Sequence, residues 1–172
     1  STLNLLNPKN ITVYAKWIEV TQETKNLISV IQDMLNSPQM TVTITSEGKK
    51  YEIAYDNSST FYYHSLTNGK TDYLIQGNIH YSFSDMTFYK QNVKQEEYTD
   101  ILSLTSLSGQ VISTSVKTSG EKTTYTSTMK NSNATLIITT NEGKVSEVTM
   151  TDGKEKETYK VTYTCKKVTI DT

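Results

Sequence analysis

Apolar and polar positions alternate along most of the chain, in short segments that are separated by turn residues. Met40, Val42 and Ile44, for example, alternate with three threonines, and Glu47-Gly48 follows them. A period of two predicts β-strands with one buried and one solvated face, and Gly-containing turns predict hairpins between them. The predicted strands form two sets: 40–45, 51–55, 61–66, 71–76, 79–83 and 86–89, then 110–118, 123–130, 135–140, 144–151 and 157–170.

Two segments have helical spacing instead. Between residues 21 and 36, Leu27, Ile31 and Met34 recur at intervals of three and four, Thr21 stands at the position of an N-cap, and a Ser-Pro pair follows. This pattern predicts an amphipathic helix that must lay its apolar stripe on the sheet. A second, shorter helix is predicted over 96–108, with Gly109 as its end. Parallel β-α-β winding is excluded, because helices do not alternate with the strands.

Composition and charge restrict the function. The chain has 172 residues and a net charge of -1, and its 17 basic residues are all Lys. A nucleic-acid partner is not expected, since a basic surface is missing and so is the arginine fork that binds phosphate. The apolar runs are too short for a membrane span, and the one cysteine, Cys165, predicts no disulfide within the chain and reads as a small buried side chain of the last strand.

The first nineteen residues carry a separate resemblance. Asn10-Ile11-Thr12-Val13-Tyr14-Ala15-Lys16-Trp17 alternates like a short strand and is similar to the closing strand of the internalin-type B-repeat, a module of bacterial surface proteins. This resemblance implies that residues 1–19 are the tail of an upstream repeat with its linker, and that 20–172 form one domain. The alternative is that the segment is an N-terminal strand of that domain.

The order of the elements over 20–172 carries a second resemblance. A helix ending in Ile31-Gln32-Asp33-Met34-Leu35 leads into Met40-Thr41-Val42-Thr43-Ile44, and a long antiparallel meander follows. This order resembles the LolA/LppX-like fold of bacterial envelope lipoproteins. The resemblance implies a mainly β (α+β) fold, in which a large curved meander sheet forms an unclosed half-barrel around one long and one short helix. It also implies an apolar or lipid-like ligand between sheet and helices. The family's lipoprotein carriers use a cavity arginine, which this chain lacks.

The histidines and the Gly-Lys-Thr segment show no catalytic or metal-binding pattern. His64 and His80 are the only histidines, and neither has the partner spacing of a metal site or a catalytic base. Gly69-Lys70-Thr71 resembles the end of a phosphate-binding loop, but His64 stands where that motif needs glycine, and a strand follows where it needs a helix. We therefore expect neither an enzyme nor a metal or cofactor.

Aromatic residues are the one set that indicates a ligand. They concentrate in the first half of the predicted sheet, and tyrosine, with an apolar ring and a polar tip, suits a wall that contacts a lipid-like ligand. The expected ligand-binding residues are Tyr51, Tyr55, Phe61, Tyr63, Tyr81 and Phe83. The alternative is cross-strand aromatic pairing on a half-exposed sheet, which requires no ligand.

Two functions are consistent with these patterns. The first is a non-enzymatic, extracytoplasmic domain of a bacterial surface protein or lipoprotein that binds an apolar or lipid-like ligand. The second is an adhesin-like or spacer module of a tandem-repeat surface protein, which contacts a cell-surface protein or glycan and holds no small molecule. Cavity-facing tyrosines favour the first, and outward-facing tyrosines favour the second.

Overall fold

The computed structural model describes residues 20–58, 61–65, 71–77, 79–84, 87–92, 109–130 and 132–167, with Phe61 and parts of the strands between 72 and 92 described by backbone alone. This part of the chain forms one α-helix and eleven β-strands. The predicted short helix over 96–108 lies outside the described residues. The same is true of residues 1–19, so their division from the rest of the chain stays a prediction.

The helix α1 (Gln22–Leu35) begins and ends where the sequence predicts. The Thr21 hydroxyl caps it by accepting a hydrogen bond from the backbone N–H of Thr24 at 3.3 Å, which satisfies one of the free donors of the first turn. Asn36 caps the other end through its own backbone N–H, and Ser37-Pro38 follow. Proline restricts the residue before it to extended backbone, so the chain leaves the helix here.

All eleven strands belong to one antiparallel sheet. They are β1 (Gln39–Ser46), β2 (Lys49–Asp56), β3 (Phe61–Ser65), β4 (Thr71–Gln76), β5 (Ile79–Ser84), β6 (Thr87–Asn92), β7 (Val111–Ser119), β8 (Lys122–Met129), β9 (Thr135–Asn141), β10 (Lys144–Asp152) and β11 (Glu155–Thr162). Their order in the sheet is β6-β5-β4-β3-β2-β1-β11-β10-β9-β8-β7. The predicted mainly β fold with an unclosed half-barrel is thus confirmed.

The sheet consists of two meanders that meet at its centre. β1 to β6 form one and β7 to β11 the other, and the pairing of β1 with β11 joins them, with Val42 opposite Val161. Because the order begins at β6 and ends at β7, these two strands are the edges of the described sheet.

The helix packs on the second meander and closes the main core. It contacts β7 and β10, and Leu27, Ile31 and Met34 are 0%, 0% and 1% exposed. Facing them are buried side chains from both meanders: Met40, Val42, Ile53, Tyr55, Val111, Met129, Leu136, Ile138, Val145, Val148, Tyr159 and Val161. Burying each large aliphatic side chain contributes about 1.5–3 kcal/mol, so this contact fixes the position of α1.

Hydroxyl groups connect the first turn of α1 to the sheet edge. The Thr24 hydroxyl donates to Thr114 of β7 at 2.8 Å, and the Thr114 hydroxyl donates to Ser127 of β8 at 3.3 Å. Thr24 and Ser127 are both buried. Buried hydroxyls require partners, and this chain of three groups supplies them.

The last strand is shorter than the sequence predicts. Alternation predicts a strand over 157–170, but β11 ends at Thr162. The Thr41 hydroxyl of β1 donates to the carbonyl oxygen of Thr164 at 2.6 Å, and the Lys167 ammonium lies 2.9 Å from the Asp56 carboxylate of β2. Because of these contacts, the chain after Thr162 leaves its pairing with β1 and crosses β1 towards β2. The alternation of polar and apolar residues cannot predict this.

Because the strand ends at Thr162, Cys165 does not lie where the alternation predicts. Alternation predicts that it shares a buried face with Tyr159 and Val161, but it is only partly buried and packs on a second cluster, formed by Ala54, Tyr63 and Leu74. Ala54 is adjacent to the core residue Tyr55 in β2. Since neighbouring side chains of a strand point to opposite faces, the second cluster lies on the face away from α1.

Candidate functional site

A cavity of about 360 Å³ opens where the end of α1 meets the sheet. Its walls come from the helix, from the chain that enters β1 and from the β9–β10 hairpin. We call it the helix–sheet cavity and define it by its lining residues, which are Val30, Asp33, Met34, Asn36, Ser37, Pro38, Gly143, Lys144, Val145 and Tyr163. Its volume is within the range of small-molecule sites.

The two sides of the cavity are set by local sequence. On one side, α1 stops at Leu35 and Ser37-Pro38 redirect the chain. On the other, the two residues between β9 and β10 are Glu142 and Gly143, with φ of 51° and 81°. Two successive left-handed residues are what a type I′ hairpin turn requires, and the tight turn places Lys144 and Val145 at the cavity.

Tyr163 forms the wall between helix and sheet. Its hydroxyl donates to the carbonyl oxygen of Val145 at 2.8 Å, and the Lys144 ammonium lies 5.1 Å from the centre of its ring. Burial disfavours the phenolate and raises the pKa of Tyr163 to about 12, and the nearby Tyr55 and Asp33 add to the effect. At neutral pH the Tyr163 side chain is therefore uncharged, and its hydrogen bond to Val145 fixes the ring in the cavity wall.

Polarity changes across the cavity. Met34 and Val145 are buried and Val30 is half-buried, whereas Asp33 and Lys144 are exposed. The arrangement therefore offers an apolar inner wall with one negative and one positive charge at the opening. Such a site accommodates an apolar group whose polar end reaches water.

The space beneath the middle of α1 is filled. Leu27 and Ile31 are fully buried against the sheet, and close-packed side chains leave little room between helix and sheet there. The cavity is therefore confined to the C-terminal end of the helix.

In the described part of the chain, no group of three or more His, Cys, Asp or Glu side chains is placed to hold a metal ion. Over the same residues, α1 is neither long nor apolar enough to cross a membrane.

The six residues predicted from sequence do not come together at one place. Tyr55 reaches the helix–sheet cavity indirectly, because its hydroxyl donates to the carbonyl oxygen of Ser37 in the cavity wall at 2.9 Å. Tyr51, four positions earlier in β2, stacks on His64 of β3 with 5.9 Å between ring centres.

The other predicted residues are distributed over β3 and β5. Tyr63 and Tyr81 belong to the cluster on the face away from α1. Phe61 pairs with Asp56 and Phe83 with Phe88 in the strand register. Ligand binding by these six residues stays a prediction. His80 lies in β5, opposite Ile75.

The cavity residues were not among those predicted. Asp33 and Lys144 are far apart in sequence and each looks like an ordinary surface charge. Tyr163 reads as one more core residue of the last strand. The usable signal was the end of the helix, since Ser37-Pro38 fix where α1 must leave the sheet.

Comparison with known proteins supports the fold. No protein-family model and no curated protein matches the sequence. Similar solved structures include lipoprotein LppX of Mycobacterium tuberculosis, with a TM-score of 0.54 and 11% identity over 87% of this chain and 98% of that one. They also include LprF from Mycobacterium bovis, with a TM-score of 0.50 and 10% identity over 87% of this chain and 96% of that one. The predicted LolA/LppX-like fold is thereby confirmed. The B-repeat resemblance of residues 10–17 stays a prediction.

Proposed function

We propose that this chain is a non-enzymatic, extracytoplasmic domain of the bacterial envelope that binds an apolar or lipid-like ligand in the helix–sheet cavity. The observation that carries the proposal is the cavity itself, which lies on the core side of the sheet and has an apolar inner wall with a charged opening. The likeness to a lipoprotein of the same fold supports the envelope location.

The size of the cavity limits the ligand. About 360 Å³ is near the lower end of small-molecule sites, and Leu27 and Ile31 fill the space beyond it. We therefore expect a single apolar chain or a small amphipathic molecule, whose polar end lies between Asp33 and Lys144. Because the chain has no arginine, a role in lipoprotein transfer is not part of the proposal.

The test is a binding measurement with a fluorescent single-chain fatty acid. Val30→Trp places a large side chain in the cavity and should weaken binding by at least about tenfold, equivalent to about 1.4 kcal/mol. Val20→Trp is the matched control, because Val20 is exposed and lies outside the cavity. Native mass spectrometry of the purified wild-type chain should show a bound lipid. Absence of binding, or equal binding by both variants, would overturn the proposal.

The filled core beneath α1 favours a second candidate, an adhesin-like or spacer module without a small-molecule ligand. The fully buried Leu27 and Ile31 leave no enclosed chamber there. This candidate predicts that the wild-type chain carries no lipid and that Val30→Trp retains attachment to cells or to a surface partner. The fatty-acid measurement thus separates the two.

A further inference from the structure

The segment that follows β11 contacts both faces of the sheet. We call residues 163–167 the strap. Tyr163, at its start, lines the helix–sheet cavity together with residues of α1. Cys165, two positions later, packs on the second cluster, which lies on the face away from α1. The strap therefore begins in the wall of the proposed ligand site and continues on the other face of the sheet.

Side chains of β1 and β2 hold the strap. The Thr41 hydroxyl donates to the carbonyl oxygen of Thr164 at 2.6 Å, and the Lys167 ammonium lies 2.9 Å from the Asp56 carboxylate. The Lys167 side chain is 47% exposed, and the Thr41 contact is exposed as well. Exposed ion pairs contribute little stability, and segments held by few buried contacts open more readily than a core. We therefore expect the strap to detach while the sheet stays folded.

The far end of the strap is bound next to a second wall of the cavity. Asp56, the partner of Lys167, is followed by Asn57, whose backbone N–H donates to the carbonyl oxygen of Pro38 at 2.9 Å. Pro38 lines the cavity, as Tyr163 does. One end of the strap is thus part of one wall, and its other end is fixed to the chain that holds another wall.

The position of Tyr163 depends on the strap. The Tyr163 hydroxyl is fixed by its hydrogen bond to the carbonyl oxygen of Val145, and its backbone is fixed because the next residue, Thr164, is bound by Thr41. When the strap detaches, the backbone of Tyr163 is released and its ring is free to leave the wall. The attached strap therefore keeps the cavity closed on this side.

We propose that the strap is a gate of the helix–sheet cavity. While it is bound to Thr41 and Asp56, Tyr163 closes the wall on the ligand, and when it detaches, the wall opens for entry and exit. This inference rests on the ligand that is proposed above for the cavity. It adds a step that controls exchange, because any change that favours detachment also speeds ligand release.

Cys165 provides a direct measurement of detachment. It is the one cysteine of the chain and is partly buried on the second cluster while the strap is attached. Burial raises the pKa of its thiol, and the Lys167 charge partly offsets this. A buried, protonated thiol reacts slowly, so detachment should accelerate its modification. N-ethylmaleimide is a suitable reagent, since it is uncharged.

Charge reversal tests the ion pair in the ligand-free protein. Lys167→Glu replaces attraction to Asp56 by repulsion and should accelerate Cys165 modification by about two- to fivefold. Loss of the Lys167 charge would by itself raise the pKa of the thiol and slow the reaction, so an acceleration reports detachment. Lys166→Glu is the matched control, because it changes the same charge at the neighbouring residue. Equal acceleration by both variants would overturn the proposal.

The Thr41 contact is tested without any change of charge. Thr41→Val removes the hydrogen bond to Thr164 and should also accelerate Cys165 modification. Thr43→Val makes the same substitution two positions further along β1, on the same face of the sheet. It should leave the rate as in the wild type, and equal rates for the two threonine variants would contradict the role of this contact.

Ligand kinetics connect the strap to the cavity. In stopped-flow displacement, a fluorescent single-chain fatty acid should dissociate faster from Lys167→Glu and Thr41→Val than from the wild type and the two controls. Bound fatty acid should in turn slow Cys165 modification, because coupling between two sites is reciprocal. If the wild type binds no fatty acid, the proposed function fails and the gate with it. If it binds, but variants with faster Cys165 modification release the fatty acid at the wild-type rate, the gate alone is wrong.

Discussion

Four tyrosines of the described chain have raised pKa values. Burial raises the pKa of Tyr55, Tyr63, Tyr159 and Tyr163, and the hydrogen bonds that Tyr63 and Tyr159 donate to Glu52 and Glu157 raise theirs further. Each phenol is therefore protonated in the folded state at pH values at which an unfolded tyrosine, with a pKa of about 10, would ionise.

Because folding raises these pKa values, we expect the protein to lose stability at alkaline pH. The contribution of these tyrosines is fully present below about pH 10 and is lost as the pH rises towards 12 and through the pKa of Tyr163. Absorbance titration of tyrosinate should therefore show that part of the tyrosine signal appears only together with unfolding. A single titration near pH 10 with the fold intact would contradict this.

The Thr24 hydroxyl gives a second prediction at this scale. Thr24→Val preserves shape but leaves the Thr114 hydroxyl without its donor, so we expect urea denaturation to show a loss of about 1–3 kcal/mol. Thr24→Ser keeps the hydroxyl and should lose less. Thr114→Val also removes the hydrogen bond to Ser127, so the double variant Thr24→Val/Thr114→Val should lose less than the sum of the two single losses; a simple sum would contradict the pairing.

At the scale of elements, α1 is held by its apolar stripe. Ile31 is fully buried, whereas Ile28, one turn earlier, is only half-buried. Ile31→Ala should lower the free energy of unfolding by about 2–5 kcal/mol. Ile28→Ala is the matched control, with the same chemical change and a clearly smaller effect. Equal losses in urea denaturation would mean that the helix is not seated as described.

Local pattern predicts these elements well, because each depends on residues near in sequence. The bounds of α1 follow from Thr21 and Ser37-Pro38, and the hairpins follow from alternation and Gly-containing turns. The end of β11 does not follow from local pattern, because it depends on contacts with Thr41 and Asp56, which lie more than a hundred positions away in sequence. The helix–sheet cavity could not be predicted from local pattern either, because its lining residues Asp33, Lys144 and Tyr163 come from separate parts of the sequence.

At the scale of the whole molecule, the β1–β11 pairing makes one unit of two meanders. Val161 of β11 lies opposite Val42 of β1, and both are buried in the core that α1 closes. Because this contact joins sequence-distant strands, neither meander alone contains the complete core.

We therefore expect cooperative unfolding. Val161→Ala removes buried methyl groups and should cost about 2 kcal/mol, and hydrogen exchange should accelerate alike in β2 and β9, which lie on opposite sides of the junction. Thr139→Ala changes a residue of β9 that lies away from the junction, and hydrogen exchange of this variant is the control for Val161→Ala. Acceleration in one meander only would show that the two halves unfold separately.

The central pairing also determines when the protein can fold. β1 can pair with β2 as soon as both are synthesised, but its other partner, β11, comes last. One side of β1 is therefore an open edge while the rest of the chain is still being made. Contacts of such sequence separation form slowly, and an unpaired strand in a growing chain is prone to associate wrongly. A chaperone that keeps the nascent chain extended until β11 is complete would therefore raise its yield.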